Sequence, residues 1–373
     1  MSTPASLADQ DRRWMRVALH LARRGLGEVW PNPAVGCVLV KDGVVVGRGW
    51  TQSGGRPHAE TEALRRAGDA ARGATAYVTL EPCSHTGQTP PCVDALIAAG
   101  VARVVVAIGD PDPRVDGRGL ARLRDAKIEV TEHVESNAAR AVTAGFLLRV
   151  EQGRPLVTLK LATSLDGRIA THGGDSKWIT GEDARAAAHA LRAEHDAVAV
   201  GASTAVADDP ALTVRLPGWH GRGKPRVVFD RHLRLSLTSS MVKTARTHPT
   251  WVLTLADADK ARRSALEDLG VEILPVEPIE PGRMSMLAAL EVLAGRGITR
   301  LLVEGGGRIA ASLLAEKLVD RLILFRAGRV LGGDGVPAIA GLGIATVAEG
   351  PVFRRSDLRP LGPDAVEFWE RSL

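Results

Sequence analysis

Three spaced metal-binding side chains constrain this chain more than any other feature: His58 in His58-Ala59-Glu60, Cys83 in Pro82-Cys83, and Cys92 directly after Pro90-Pro91. One imidazole and two thiolates can fill three corners of a zinc tetrahedron, so the fold has to bring the segment at residue 58 against the segments at 83 and 92. Structural zinc sites are usually closed by four protein ligands. Three ligands leave a corner for a water whose pKa the metal lowers toward about 7. Glu60, two residues past the histidine, is then placed to carry protons as the catalytic residue.

Composition narrows the setting. The 373 residues, 45% hydrophobic and 24% charged, are enough for about two cores. Three cysteines cannot build a full disulfide framework, and in a reducing compartment a cysteine pair near a histidine reads as a metal site. Cys37, within the strand-like run Val35-Gly36-Cys37-Val38-Leu39-Val40, reads as a buried apolar thiol. Met1 to Gln10 lacks the basic and apolar blocks of a secretory signal, and no run approaches the roughly 18 apolar residues of a membrane span. A cytoplasmic protein with no membrane partner is expected. The net charge of +5 carries no basic run, and aromatic residues are only 3%. Nucleic acid is therefore not expected as a partner, while small phosphorylated substrates and cofactors suit the modest positive surplus.

Periodicity supplies the elements. Apolar positions Trp14, Val17, Ala18, Leu21 and Ala22 predict a helix over Asp11 to Arg24, stopped by Gly25. Asp42-Gly43 between the runs Val35–Val40 and Val44–Trp50 predicts a hairpin. A helix over Ala59–Ala67, a strand over Ala76–Leu80, a helix opening at Pro91-Cys92 and a strand over Arg103–Ile108 follow. Asp110 to Gly119 reads as a turn-rich loop. A helix over Leu120–Ala126, a strand over Ile128–Val130 and a helix over Ser136–Glu151 close a three-layer α/β/α domain, with a boundary near residue 152 at Gln152-Gly153-Arg154-Pro155.

The order places His58 at a helix head and Cys83 and Cys92 at a strand-to-helix turn, so the ligands gather at one sheet edge, where helix N-termini favour thiolates. His85 lies in the same loop as a rival ligand. Asn32, between Pro31 and Pro33, is a candidate reader of a pyrimidine edge; an ordinary turn asparagine is the plain alternative.

In the second half, a strand over Leu156–Leu161, a second short strand and a helix over Glu182–Glu194 precede strand-like runs. These lie at Ala197–Val200, Arg226–Phe229, Trp251–Leu255, Val271–Leu274, Arg300–Val303, Leu322–Phe325 and Ala365–Trp369, and they predict a second α/β domain. Glu304-Gly305-Gly306-Gly307 joins a strand to a helix beginning near Ile309, where glycines let backbone N–H groups approach a phosphate.

The His-x-Glu and Pro-Cys arrangement is the signature of zinc deaminases, although eight residues rather than two separate the cysteines. With Pro31-Asn32-Pro33, Val35-Gly36-Cys37 and the stretch Thr79 to Cys92, it resembles the deaminase half of bifunctional riboflavin-biosynthesis deaminase-reductases. The block Lys160–Ile169, the segment Ser176-Lys177-Trp178-Ile179-Thr180, the stretch Thr204–Arg215 and the glycine turn after Glu304 resemble the reductase half. The resemblance implies a cytidine-deaminase-like α/β/α domain over 1–152 and a dihydrofolate-reductase-like α/β domain over 153–373. It also implies deamination of a phosphorylated diaminopyrimidine, NADPH-dependent reduction of its ribosyl unit, and a homo-oligomer.

Residue by residue, the resemblance sets Ala162, Trp178, Thr204, Asp208 and the turn Gly306, Gly307, Arg308, Ile309, Ala310, Ala311 and Ser312 against NADPH. It sets Ser176, Arg192, Leu212, Arg215 and Glu304 against substrate. It moves His85 from the ligand set to the loop or the substrate side. Arg192 and Arg215 make chemical sense as phosphate clamps, since a guanidinium meets phosphate through two parallel hydrogen bonds. The plain alternatives are a core aromatic for Trp178, a solvated helix charge for Arg192 and a cap for Asp208.

Overall fold

A computed structural model describes residues 6–87 and 90–372. The chain divides into two compact units, the first ending at Gln152 and the second beginning at Gly153.

The first unit runs α1 (Leu7–Arg23), β1 (Gly36–Lys41), β2 (Val44–Trp50), α2 (Ala59–Ala67), β3 (Thr75–Val78), α3 (Cys92–Ala99), β4 (Arg103–Val106), α4 (Arg118–Asp125), β5 (Glu129–Thr131) and α5 (Ser136–Gln152). Its sheet has the order β2-β1-β3-β4-β5, antiparallel through the β1 pairings and parallel from β3 to β5. Alternation along β1 sends Gly36 and Val38 to one face and Cys37 and Leu39 to the other. The glycines show what each face holds: a Cβ on Gly36 would run into the Ala18 carbonyl of α1, and Cβ atoms on Gly47 and Gly49 would run into the Ala63 and Ala59 carbonyls of α2. Helices therefore lie directly on both faces, and the expected three-layer α/β/α architecture results. Cys37 is fully buried in this core, and burial pushes its thiol well up.

α1 starts four residues earlier than the periodicity places it, because Ser6 caps it by accepting the Asp9 N–H. A charged cluster that local pattern does not reveal ties α1 to the sheet. Asp11, 4% exposed, accepts the Tyr77 hydroxyl at 2.9 Å and two Arg103 N–H groups at 2.9 and 2.8 Å.

The second unit runs β6 (Leu156–Thr163), β7 (Arg168–Ala170), α6 (Glu182–Ala193), β8 (Ala197–Gly201), α7 (Ala202–Asp208), β9 (Arg226–Phe229), α8 (Ser240–Lys243), β10 (Thr250–Leu255) and α9 (Lys260–Asp268). β11 (Glu272–Val276), β12 (Pro278–Glu280), β13 (Arg283–Met284), α10 (Met286–Gly295), β14 (Arg300–Glu304), α11 (Gly307–Ala315), β15 (Arg321–Arg326), β16 (Val336–Pro337), β17 (Phe353–Leu361) and β18 (Asp364–Arg371) complete it. Its main sheet has the order β11-β10-β9-β8-β14-β6-β15-β18-β17, parallel up to β15 and closed by the antiparallel pair β18 and β17. β17 is absent from the sequence-based strand set. Its run Phe-Arg-Arg-Ser-Asp-Leu-Arg-Pro-Leu is rich in charge and mostly exposed, so no apolar stripe marks it, and pairing with β18 makes it a strand. α11 begins at Gly307 rather than near Ile309. Among the described residues, no helix is long and apolar enough to cross a membrane.

Because Gly36 has to lie against the α1 backbone, Gly36→Ala is expected to destabilise the first unit by about 1–3 kcal/mol through overpacking. The check is the urea midpoint of its unfolding transition. An unshifted midpoint would mean that α1 does not seat on β1 as described.

Candidate active sites

His58 is the N-cap of α2, Cys92 opens α3 after Pro91, and Cys83 follows the chain out of β3. The helix starts and the strand end meet at one edge. His58 Nδ1 lies 3.3 Å from Cys92 Sγ and 3.7 Å from Cys83 Sγ, and the three donor atoms all fall within 4.8 Å of one another. Tetrahedral zinc with ordinary Zn–N and Zn–S bonds requires N···S edges of about 3.6 Å, so the donor set and its spacing fit zinc.

The local electrostatics favour ligation. The Cys92 amide at the head of α3 donates to Cys83 Sγ at 3.2 Å. The hydrogen bond from the Cys92 thiol, with His58 alongside, pulls the Cys83 thiol down to about 4. The same hydrogen bond, together with burial, pushes Cys92 up, and the contact with Cys83 raises His58. Glu60 stands outside the trio on the first turn of α2, 4% exposed, and burial lifts its carboxyl to about 7 against the pull of His58.

A cavity of ≈ 410 Å³ opens against His58, Cys83 and Glu60. Asn32 lines it, as does His85, whose Nδ1 is buried with no protein partner. His85 thus faces the cavity and is not a fourth member of the ligand trio. The sequence reading did not single out Arg56, Asp110 or Arg114, which also line the wall. Burial raises Asp110 to about 6. The only signal for Asp110 and Arg114 was the charge density of the loop Asp110–Gly119, which a turn-rich reading explained equally well.

In the second unit the candidate residues gather where parallel strands end, the usual place for ligands in open α/β sheets. Lys160 of β6 is in register with Glu304 of β14, and Ala162 follows on β6. Gly306 caps α11 beside Thr204 of α7; a Cβ on Gly306 would approach Thr204 Oγ1 to 2.7 Å. First-turn amides of a helix lack intrahelical partners, which leaves Gly307, Arg308 and Ile309 as the anion-facing donors of α11. Farther along, Ala310 already donates its amide to Gly306 O, Ala310 and Ala311 are buried, and Ser312 Oγ donates to Arg308 O. The helix can present only its head to a ligand.

Arg192 is held within the chain. Its Nε and Nη2 fork onto the Glu304 carboxylate, the latter at 2.8 Å, and its Nη1 donates to Thr213 O at 2.7 Å. Both side chains are nearly buried, so Arg192 is not a solvated helix charge; it is Glu304's counter-ion and a loop anchor, which uses three of its five N–H donors. Arg215 remains exposed, its amide donating to His189 Nδ1 at 3.3 Å. Lys160 and His189, both outside the sequence-based set, join this cluster through packing from β6 and α6. Leu212 is buried with φ +52°, in a segment that Arg192 pins at Thr213. Ser176 is half-buried, Asp208 is exposed at the end of α7, and Trp178 is exposed with Arg185 stacked on its ring at 4.8 Å. Trp178 is therefore not a core aromatic.

Residues 8–108 match the family described as the cytidine and deoxycytidylate deaminase zinc-binding region, and residues 155–366 match the RibD C-terminal domain. The riboflavin biosynthesis protein RibD of Aquifex aeolicus is 42% identical over 361 residues, covering 97% of this chain and 98% of that protein. The RibD of Escherichia coli is 42% identical over 366 residues, covering 95% and 98%. Among solved structures, Acinetobacter baumannii RibD superposes with a TM-score of 0.88 at 38% identity, covering 98% of this chain and all of that one. A Thermotoga maritima diaminohydroxyphosphoribosylaminopyrimidine deaminase/5-amino-6-(5-phosphoribosylamino)uracil reductase superposes at 0.86 and 33% identity with the same coverage. Two matched domains in one order, conserved in length with these relatives and carrying a zinc-competent His/Cys/Cys site, place the chain in the RibD family of riboflavin biosynthesis, the bifunctional deaminase-reductases.

Proposed function

We propose that residues 1–152 form the deaminase and residues 153–373 the reductase, each with its own active site. The first removes the 2-amino group of 2,5-diamino-6-(5-phosphoribosylamino)pyrimidin-4(3H)-one as ammonia. The second reduces the ribosyl unit of the resulting uracil to ribityl. The observation that carries the deaminase reading is the His58, Cys83 and Cys92 trio with a buried, proton-tunable Glu60 beside it and a cavity above.

His58, Cys83 and Cys92 would hold a zinc ion, which when bound would supply Lewis acidity toward the attacking water. Hydrolytic deamination consumes water, forms the ring C–O bond and breaks the exocyclic C–N bond. Glu60, buried on the first turn of α2 beside the trio, is placed to move the two protons of the water, one to the ring nitrogen and one to the departing amine. Asn32 is suited to reading the pyrimidine edge, and Arg56, Arg114 and His85 give the cavity the cationic and hydrogen-bonding wall that a phosphate requires.

In the reductase, bound NADPH would supply the hydride for the sugar C1′. The α11 head at Gly306–Ile309, beside Thr204, is suited to hold the cofactor's anionic groups, and Ala162, Trp178 and Asp208 are the further cofactor positions of this proposal. Glu304, kept ionised by Arg192, with Ser176 and Leu212, frames the substrate, and Arg215 takes its phosphate. A cytoplasmic setting agrees with three unpaired cysteines.

Two variants test the division. Glu60→Gln should retain zinc by elemental analysis, lose about 10²- to 10⁴-fold in ammonia release and keep wild-type NADPH oxidation on the deaminated intermediate. Near wild-type deamination would remove Glu60 from the mechanism. Arg215→Ala should raise the reductase KM for that intermediate at least about tenfold with a smaller change in kcat. An unchanged KM would show that the phosphate is held elsewhere.

A further inference from the structure

Glu81 is 3% exposed and lies two residues before Cys83. Its carboxylate receives four backbone N–H groups, all from the chain between β4 and the first turn of α4. Gly119 and Leu120 donate to Oε1 at 2.9 and 3.3 Å, and Gly117 and Asp110 donate to Oε2 at 3.1 and 3.4 Å. α4 has glycine, Gly117, as its N-cap and no side-chain cap of its own. A carboxylate from another element therefore satisfies the orphan amides of this helix start, where the helix dipole favours a negative charge.

We infer that Glu81 is a positioning residue for deamination: it locks the cavity wall formed by residues 110–119 to the turn that carries the Cys83 ligand. That wall supplies Asp110, Asp112, Arg114 and Val115 to the cavity. Further stitches run the same way. Ser84 Oγ donates to Arg114 O at 3.4 Å, and Arg122 Nη1 donates to Ser84 O at 3.0 Å. Gly119 lies so close to the Pro82 carbonyl that a Cβ there would collide with it. The backbone segments that carry Cys83 and Arg114 are thus tied to each other by the Glu81 carboxylate and the contacts of Ser84. Placement of the substrate follows from Glu81, while zinc ligation and proton transfer do not.

The inference rests on the reading of this cavity as the deaminase substrate site, and the test separates the two. Full-length Glu81→Gln and Glu81→Ala are compared with wild type for ammonia release from the diaminopyrimidine phosphate, zinc content, and NADPH oxidation on the deaminated intermediate. Glutamine keeps one oxygen acceptor and turns an NH₂ group toward two of the donors; alanine leaves all four unmet. The expected result is a deaminase KM raised about tenfold in Glu81→Ala and by less in Glu81→Gln. Alongside it, kcat should stay within about threefold, zinc remain bound and the reductase rate be unaltered. A wild-type KM in both variants overturns the inference, as does a loss of zinc or an equal fall of kcat in the milder Glu81→Gln. If wild type itself releases no ammonia, the functional reading fails instead.

Discussion

Three donor atoms within 4.8 Å of one another, drawn from residues 58, 83 and 92, impose the constraint around which the first unit is arranged. Thiols and an imidazole crowd together at low cost only if protons are lost and charge is shared, and the local structure provides for this. The α3 amide donates to Cys83, two helices begin at the cluster, and Glu60 is buried enough to stay responsive near neutral pH. The sheet order β2-β1-β3-β4-β5 sets β3 beside both β1 and β4, so the chain leaving β3 emerges at the centre of the edge where α2 and α3 start.

Both units show the same handling of buried charge. Asp11 and Arg103 are paired in the first, and Arg154 with Asp320 and Arg192 with Glu304 in the second. Removing one member of such a pair leaves an uncompensated charge, typically a loss of 3–5 kcal/mol, whereas replacing both can be neutral. Their value here lies in position: Arg192 ties Glu304 to Thr213, and through it sets the backbone that presents Leu212 and Arg215.

The pairing of Arg192 and the placement of α11 share a cause. Sequence resemblance marks positions, and it does not say which atoms at a position are already committed. Arg192 spends its fork within the chain, and the amides of α11 beyond its first turn are used by the helix itself. Trp178 is exposed with Arg185 over its ring, so the plain reading of it as a core aromatic does not hold.

The zinc trio, Glu60, the hairpin at Asp42-Gly43, the alternating helices and strands and the glycine turn before α11 were all legible from residue types and spacing. Each is dictated locally, by ligand chemistry, turn preference or hydrophobic period. The cavity wall at Asp110 and Arg114, the Glu81 carboxylate beneath it, the Asp11–Arg103–Tyr77 cluster, Lys160 and His189 beside Glu304, and the edge strand β17 were not. β17 lacks an apolar stripe although its partner β18 follows directly in the chain; the others depend on partners tens to more than a hundred residues away, and a polar side chain carries no mark in sequence of which distant amide or carboxylate it will meet. Residue chemistry determined what reactions this chain can perform; packing between distant segments decided which groups face the substrates and which are spent holding the sites in place.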